Sequence, residues 1–158
     1  MSDTLVVYYS RTGKTRLVAE RLAGLLGADV EEIRETKSRA GAMGYLGGIK
    51  DAMFKCRARL ADEHSASGRA AVVLGMPVWA ASPPPAVREY LKCVDLGGCK
   101  VFAFCTYDGG GAASCLSKLA GVVGRELPAT LELKKPAKDA DLDAKIKDFA
   151  ERIRAALK

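Results

Sequence analysis

Leu5–Gly27 reads LVVYYSRTGKTRLVAERLAGLLG, and the change of character along it decides the fold. Leu5-Val6-Val7-Tyr8-Tyr9 is an unbroken β-branched and aromatic run, the pattern of a strand buried on both faces. Ser10-Arg11-Thr12-Gly13-Lys14-Thr15 is a turn rich in hydroxyls. From Arg16 the period becomes helical: Val18, Leu22 and Leu25 share one face, and Gly27 stands at the expected stop. A strand that leaves through such a turn and opens directly into a helix is suited to holding an anion. The N–H groups of the first helical turn have no partner inside the helix, and the helix dipole favours negative charge there. A triphosphate loop also ends in Gly-Lys-Thr, but it requires a glycine where this chain has Tyr8, inside the strand. The turn itself is too short to wrap two phosphates; it fits one.

The same alternation of apolar runs and helical stripes continues outward. The first strand is expected over Thr4–Tyr9, its helix from about Gly13 to Leu26, and a shorter strand over Ala28–Arg34. Leu46, Ile49, Met53, Cys56 and Leu60 lay one apolar stripe along a further helix. Ala70–Gly75 is a buried strand expected to stop at Met76-Pro77, because proline cannot continue a central ladder. Ser82 is the expected N-cap of a helix opened by Pro83-Pro84-Pro85. Cys99–Thr106 and Thr130–Leu133 are the remaining strands. Leu116, Leu119 and Val123 mark the helix between them. Leu142, Ile146, Phe149, Ile153 and Leu157 mark the last one. No strand has a tight hairpin partner, so the crossovers must be parallel. The expected class is a doubly wound α/β sheet, with residues 1–158 forming one domain.

Composition removes several alternatives. No apolar run approaches membrane-spanning length, and the chain enters a strand almost at once, so neither a membrane span nor a secretory leader is expected. Five cysteines without a Cys-x-x-Cys pair, and a lone His64, argue against a zinc site or redox dithiol and for reduced thiols in a cytoplasmic setting. Cys105, inside an apolar run, is expected to be buried. The net charge is +6, and Arg34–Arg59 holds seven basic residues against two acidic ones. Such a surface attracts acidic proteins or phosphorylated ligands. Nucleic-acid binding is not expected, since interleaved aromatics and Cys/His fingers are both missing. A phospho-acceptor receiver would need an aspartate where the third strand ends in Gly75-Met76-Pro77.

In an open parallel sheet the ligand lies beyond the carboxyl ends of the strands, where the winding direction reverses. Three loops fall there. Ser10–Thr15 holds a phosphate. Pro77–Ser82 carries the chain's one tryptophan, Trp79, at a rim where a flat indole stacks on a planar ring. Thr106–Gly111 is glycine-rich, so its backbone can approach a ligand closely. Together they describe a phosphorylated planar heterocycle.

These residues resemble a known family. Ser10-Arg11-Thr12-Gly13-Lys14-Thr15 is similar to the flavodoxin phosphate signature Ser/Thr-x-Thr-Gly-x-Thr. Gly75-Met76-Pro77-Val78-Trp79 with Pro84-Pro85 resembles the segment that bears the flavin-stacking aromatic, and Thr106–Gly111 resembles the third flavin loop. Gly44–Gly48 through Ala52 is similar to a stretch of short bacterial flavodoxin-like proteins. The resemblance implies a flavodoxin-like doubly wound five-stranded parallel sheet in the order 2-1-3-4-5, with helices on both faces. It implies FMN as cofactor, its phosphate held by Ser10, Thr12, Gly13, Lys14 and Thr15, with Arg11 contributing its N–H. Trp79 would stack on the ring. The backbone of Pro77, Val78, Trp79, Ala80 and Ala81 would meet the ring edge and ribityl chain, as would that of Thr106, Tyr107, Asp108, Gly109, Gly110 and Gly111. Tyr107 is a second stacking candidate. The implied role is electron transfer between redox partner proteins, some of them acidic, by a monomer or weak homodimer. The alternative is a two-electron reductase acting on a quinone or nicotinamide. The resemblance departs at Ala80-Ala81, where a glycine is usual. A left-handed turn there costs about 1 kcal/mol more in alanine. Together with the basic charge, this implies modest stabilisation of the one-electron-reduced flavin.

Overall fold

The computed structural model describes residues 2–34 and 66–158. The expected helix over Leu46–Leu60, nearly all of the basic 34–59 stretch, the Gly44–Ala52 resemblance, Cys56 and His64 lie outside them. The described elements run β1 (Thr4–Tyr8), α1 (Lys14–Leu26), β2 (Asp29–Glu32), β3 (Ala71–Pro77), α2 (Pro85–Cys93), β4 (Lys100–Tyr107), α3 (Ala112–Val123), β5 (Thr130–Lys134), a 3₁₀ turn (Pro136–Lys138) and α4 (Leu142–Leu157). The sheet is parallel throughout, in the order β2-β1-β3-β4-β5.

Because side chains alternate across a strand, each central strand feeds two cores. On one face Leu5, Val7, Val72, Leu74, Val101 and Cys105 pack with Val87 and Tyr90 of α2 and Leu116 and Leu119 of α3. On the other, Val6, Tyr8, Val73, Phe102 and Phe104 pack with Val18 and Leu22 of α1 and Ile146, Phe149 and Ile153 of α4. These are the helical stripes read from the sequence, except that Leu25 of α1, expected on the inner face with Val18 and Leu22, is 43% exposed. Among the described residues, no helix is long and apolar enough to cross a membrane.

Two expectations need correction. β3 does not stop before Met76-Pro77; both residues pair with β4, at Cys105 and Thr106. Pairing with β1 ends at Gly75, and the N–H of Val78 donates to Thr106 C=O at 2.9 Å. The missing N–H of Pro77 therefore faces the side where β1 has already ended, and no ladder bond is lost. Ser82 is not the cap of α2. That helix begins from an extended Pro84 with no side-chain cap, and Pro85 fills its first position. Proline at the first position has no N–H to leave unpaired.

The amino end of the sheet is clamped. The Arg69 side chain, 0% exposed, donates to Asp29 Oδ2 at 2.7 Å and to Ser2 C=O at 2.9 Å. It ties the starts of β1, β2 and β3 together, and removing Asp29 would take this partner from a buried guanidinium. Higher in the sheet, Gly75 lies opposite Phe104, and a Cβ there would fall inside the Phe104 ring's contact distance. Gly75→Ala is expected to lower unfolding stability by about 1–3 kcal/mol through overpacking, read from denaturant midpoints. Adding Phe104→Leu should recover part of the loss, whereas a neutral Gly75→Ala would contradict this packing.

Candidate functional site

The turn from β1 into α1 is built on Gly13. Its φ of 90° is left-handed, and it serves as the N-cap of α1 without a side-chain cap bond. The Gly13 N–H donates to Ser10 Oγ at 3.0 Å, closing the turn on itself. Ser10 thus braces the loop with its oxygen, while its hydroxyl proton stays available to an anion. The helix that follows presents the N–H groups of Lys14, Thr15 and Arg16 at its opening turn. Helix geometry gives these groups no internal partner.

The turn from β3 into α2 is a two-residue hairpin. Trp79 and Ser82 exchange both backbone hydrogen bonds, at 3.0 and 2.9 Å, and Ala80 and Ala81 between them have φ of 50° and 58°. Two left-handed residues in sequence make the type I′ geometry, which ordinarily takes Asn-Gly. In alanine it costs about 1–2 kcal/mol per residue. The expected alanine cost is thus built into the folded turn. Two contacts brace it. Gly111 lies against Ala81 so closely that a Cβ at Gly111 would sit 2.8 Å from the Ala81 Cβ. Lys118 Nζ donates to Ser82 Oγ at 2.9 Å.

The turn sets the indole. Trp79 is half-buried, packed on the α2–α3 core and edge-on to Tyr9, with ring centroids 5.6 Å apart at 83°. The Arg11 guanidinium lies 5.4 Å from the indole centroid, a cation–π contact. Neither contact was read from the sequence. Their signal was positional: Tyr9 and Trp79 leave the carboxyl ends of neighbouring strands, and Arg11 is two residues beyond Tyr9.

The third loop joins the first through a buried pair. Thr15 Oγ1 and Thr106 Oγ1 share a hydrogen bond of 2.9 Å. Above them Lys14 Nζ lies 3.3 Å from both carboxylate oxygens of Asp108. Both partners of that ion pair are well exposed, so it adds at most about 1 kcal/mol. Beneath the loop, burial pushes the Cys105 thiol up to about 12 and the Cys115 thiol up to about 11. Both remain protonated near neutrality and are poor nucleophiles.

A cleft of about 200 Å³ results, lined by Arg11, Thr12, Lys14, Thr15, Pro77, Val78, Trp79, Thr106, Tyr107 and Asp108. Of the other expected residues, Ser10 and Gly13 shape the first turn. Ala80 and Ala81 form the hairpin, and Gly111 supports it. Gly109 and Gly110 stand exposed beside Asp108, with open space where a Cβ would be. The donor set fits a phosphorylated planar ring: uncapped helix N–H groups and hydroxyls at one end, a half-buried indole at the other. Ala80→Asn with Ala81→Gly is expected to raise stability by about 1 kcal/mol or more. A lower unfolding midpoint for that double variant would show that the turn is not strained.

No protein-family model matches the chain, and no curated protein matches it. Solved structures do. A candidate flavoprotein of Bacteroides uniformis aligns with a TM-score of 0.69 at 20% identity, covering 95% of this chain and 98% of that one. A flavoprotein of Lactobacillus acidophilus, solved in complex with FMN, aligns with a TM-score of 0.64 at 18% identity, covering 92% and 99%. A short-chain flavodoxin associated with a bacterial microcompartment aligns with a TM-score of 0.59 at 14% identity, covering the whole of both chains. At such identities the likeness is one of architecture. By strand order and by these structural relatives alike, the chain has the flavodoxin-like fold.

Proposed function

We propose that the chain, acting as one domain, binds FMN in this cleft and passes electrons between protein redox partners. The observation that carries the reading is the meeting of the uncapped α1 N-terminus and Trp79 in one cleft at the carboxyl edge of the sheet. The N–H groups of Lys14, Thr15 and Arg16, with the Thr12 hydroxyl, hold the phosphate, where helix dipole and hydrogen bonds act together. Trp79 takes the ring by stacking, and the strained hairpin fixes the indole in advance, lowering the ordering cost of binding. The flavin, once bound, supplies the redox chemistry.

Charge at the rim tunes that chemistry. Arg11 and Lys14 line the cleft, and its carboxylate, Asp108, is paired with Lys14. Net positive charge beside the ring favours its anionic, fully reduced form and brings the two one-electron potentials together. The same cations steer partners with acidic docking faces. They also favour a second reading, a two-electron reductase acting on a quinone or nicotinamide.

Trp79 is the chain's one tryptophan, so its fluorescence reports ring stacking directly. FMN added to the flavin-free protein is expected to quench that emission almost fully, and Thr12→Ala to weaken binding by about tenfold. Unquenched emission with FMN bound would contradict the stacking. Anaerobic stepwise reduction followed by absorbance should show closely spaced potentials. Sustained NADPH oxidation with added quinone by the FMN-loaded protein would favour the reductase; an inert mixture favours the carrier.

A further inference from the structure

A second recess opens on the far side of Lys14. It encloses about 260 Å³ and is lined by Lys14, Asp108, Lys135, Ala137 and Lys138. Lys14 and Asp108 also line the first cleft, so their ion pair is the wall that the two spaces share. The other two lysines are placed by backbone. Lys135 is held at a left-handed φ of 46°, its N–H donating to Tyr107 C=O at 2.8 Å. The 3₁₀ turn then folds Lys138 back, its N–H donating to Lys135 C=O at 2.9 Å. The acidic groups nearby are committed. Asp108 faces Lys14, and Asp139 accepts from Lys145 Nζ at 2.6 Å and from the Asp141 N–H at 2.9 Å. Among the described residues, three lysines thus line one space with a single carboxylate among them. Like charges gathered in this way repel unless an anion joins them.

We propose that this recess holds a second phosphoryl group, joined through a bridging oxygen to the one at the α1 N-terminus, so that the site accepts a flavin dinucleotide as well as FMN. The inference rests on the FMN reading of the first cleft. The shared wall argues for one continuous ligand: a diphosphate spanning both spaces gives Lys14 an anion on either side in place of Asp108. Among the described residues, no aromatic side chain lines the recess, so the outer half of the ligand is recognised there by charge and not by its base.

The test is calorimetric titration of the flavin-free full-length protein with FMN and with FAD, for wild type and for Lys135→Asn/Lys138→Gln. Asparagine tolerates the left-handed backbone at position 135. Wild type is expected to bind FAD at least as tightly as FMN. The double variant should weaken FAD about tenfold and leave FMN nearly unchanged, and about 0.5 M salt should reproduce that selectivity in wild type. Unaltered FMN binding also shows that the variant is folded. A third arm titrates the FMN-loaded protein with inorganic phosphate and with NADPH. Lysine-dependent binding of either, with FAD excluded, would overturn the joined diphosphate in favour of a separate anion. An FAD-to-FMN affinity ratio unmoved by the double variant would overturn the recess altogether. Failure of wild type to bind FMN would instead sink the reading of the first cleft.

Discussion

The rest of the site depends on the free N–H groups at the opening turn of α1. They exist because Gly13 adopts a left-handed φ and offers no side chain to cap them. They lie at the carboxyl edge of the sheet because β1 runs parallel to its neighbours, and the winding reverses between β1 and β3. An anion at the α1 opening turn therefore needs no buried counter-charge. Helix α3, which follows β4, begins in the same way: Gly111 is left-handed and uncapped as well.

Strain and rigidity are divided between the two ends of the sheet. Among the described residues, the non-glycine positions at positive φ are Ala80, Ala81 and Lys135, and all three lie at the carboxyl edge. Such conformations persist only where surrounding contacts over-determine them. Here the contacts are Gly111 against Ala81, Lys118 on Ser82 Oγ, and the Tyr107 carbonyl on the Lys135 N–H. The amino edge carries the Arg69–Asp29 clamp instead. Among the described residues, the protein thus concentrates its backbone strain at the carboxyl edge, beside the cleft, and sets the Arg69–Asp29 ion pair at the amino edge.

Much of this was legible in the sequence because it rests on periodicity. Unbroken apolar runs gave the central strands, and three- and four-residue steps gave α1, α3 and α4. Their chain order, with the family resemblance, gave the sheet. The Ser10–Thr15 turn was legible because a glycine between an apolar run and a helical period marks where strand passes into helix. What escaped was set by tertiary register. Pro77 continues β3 only because β1 ends two residues earlier, a fact no local rule contains. The Ala80–Ala81 hairpin runs against turn propensity and is imposed by its neighbours. The Arg11–Trp79 contact, and the meeting of Lys135 and Lys138 with Lys14 at one recess, join residues far apart in the chain, and nothing near Lys135 marks it as left-handed.

The central claim is that the α1 N-terminus grips a phosphoryl group, and comparing riboflavin with FMN tests it most directly, since the two ligands differ only in that group. Equilibrium titration of the flavin-free protein should show riboflavin binding at least about a hundredfold more weakly, the loss expected for several charge-assisted hydrogen bonds. Equal affinities would mean that the first turn holds nothing, and the account of the site would fail with it.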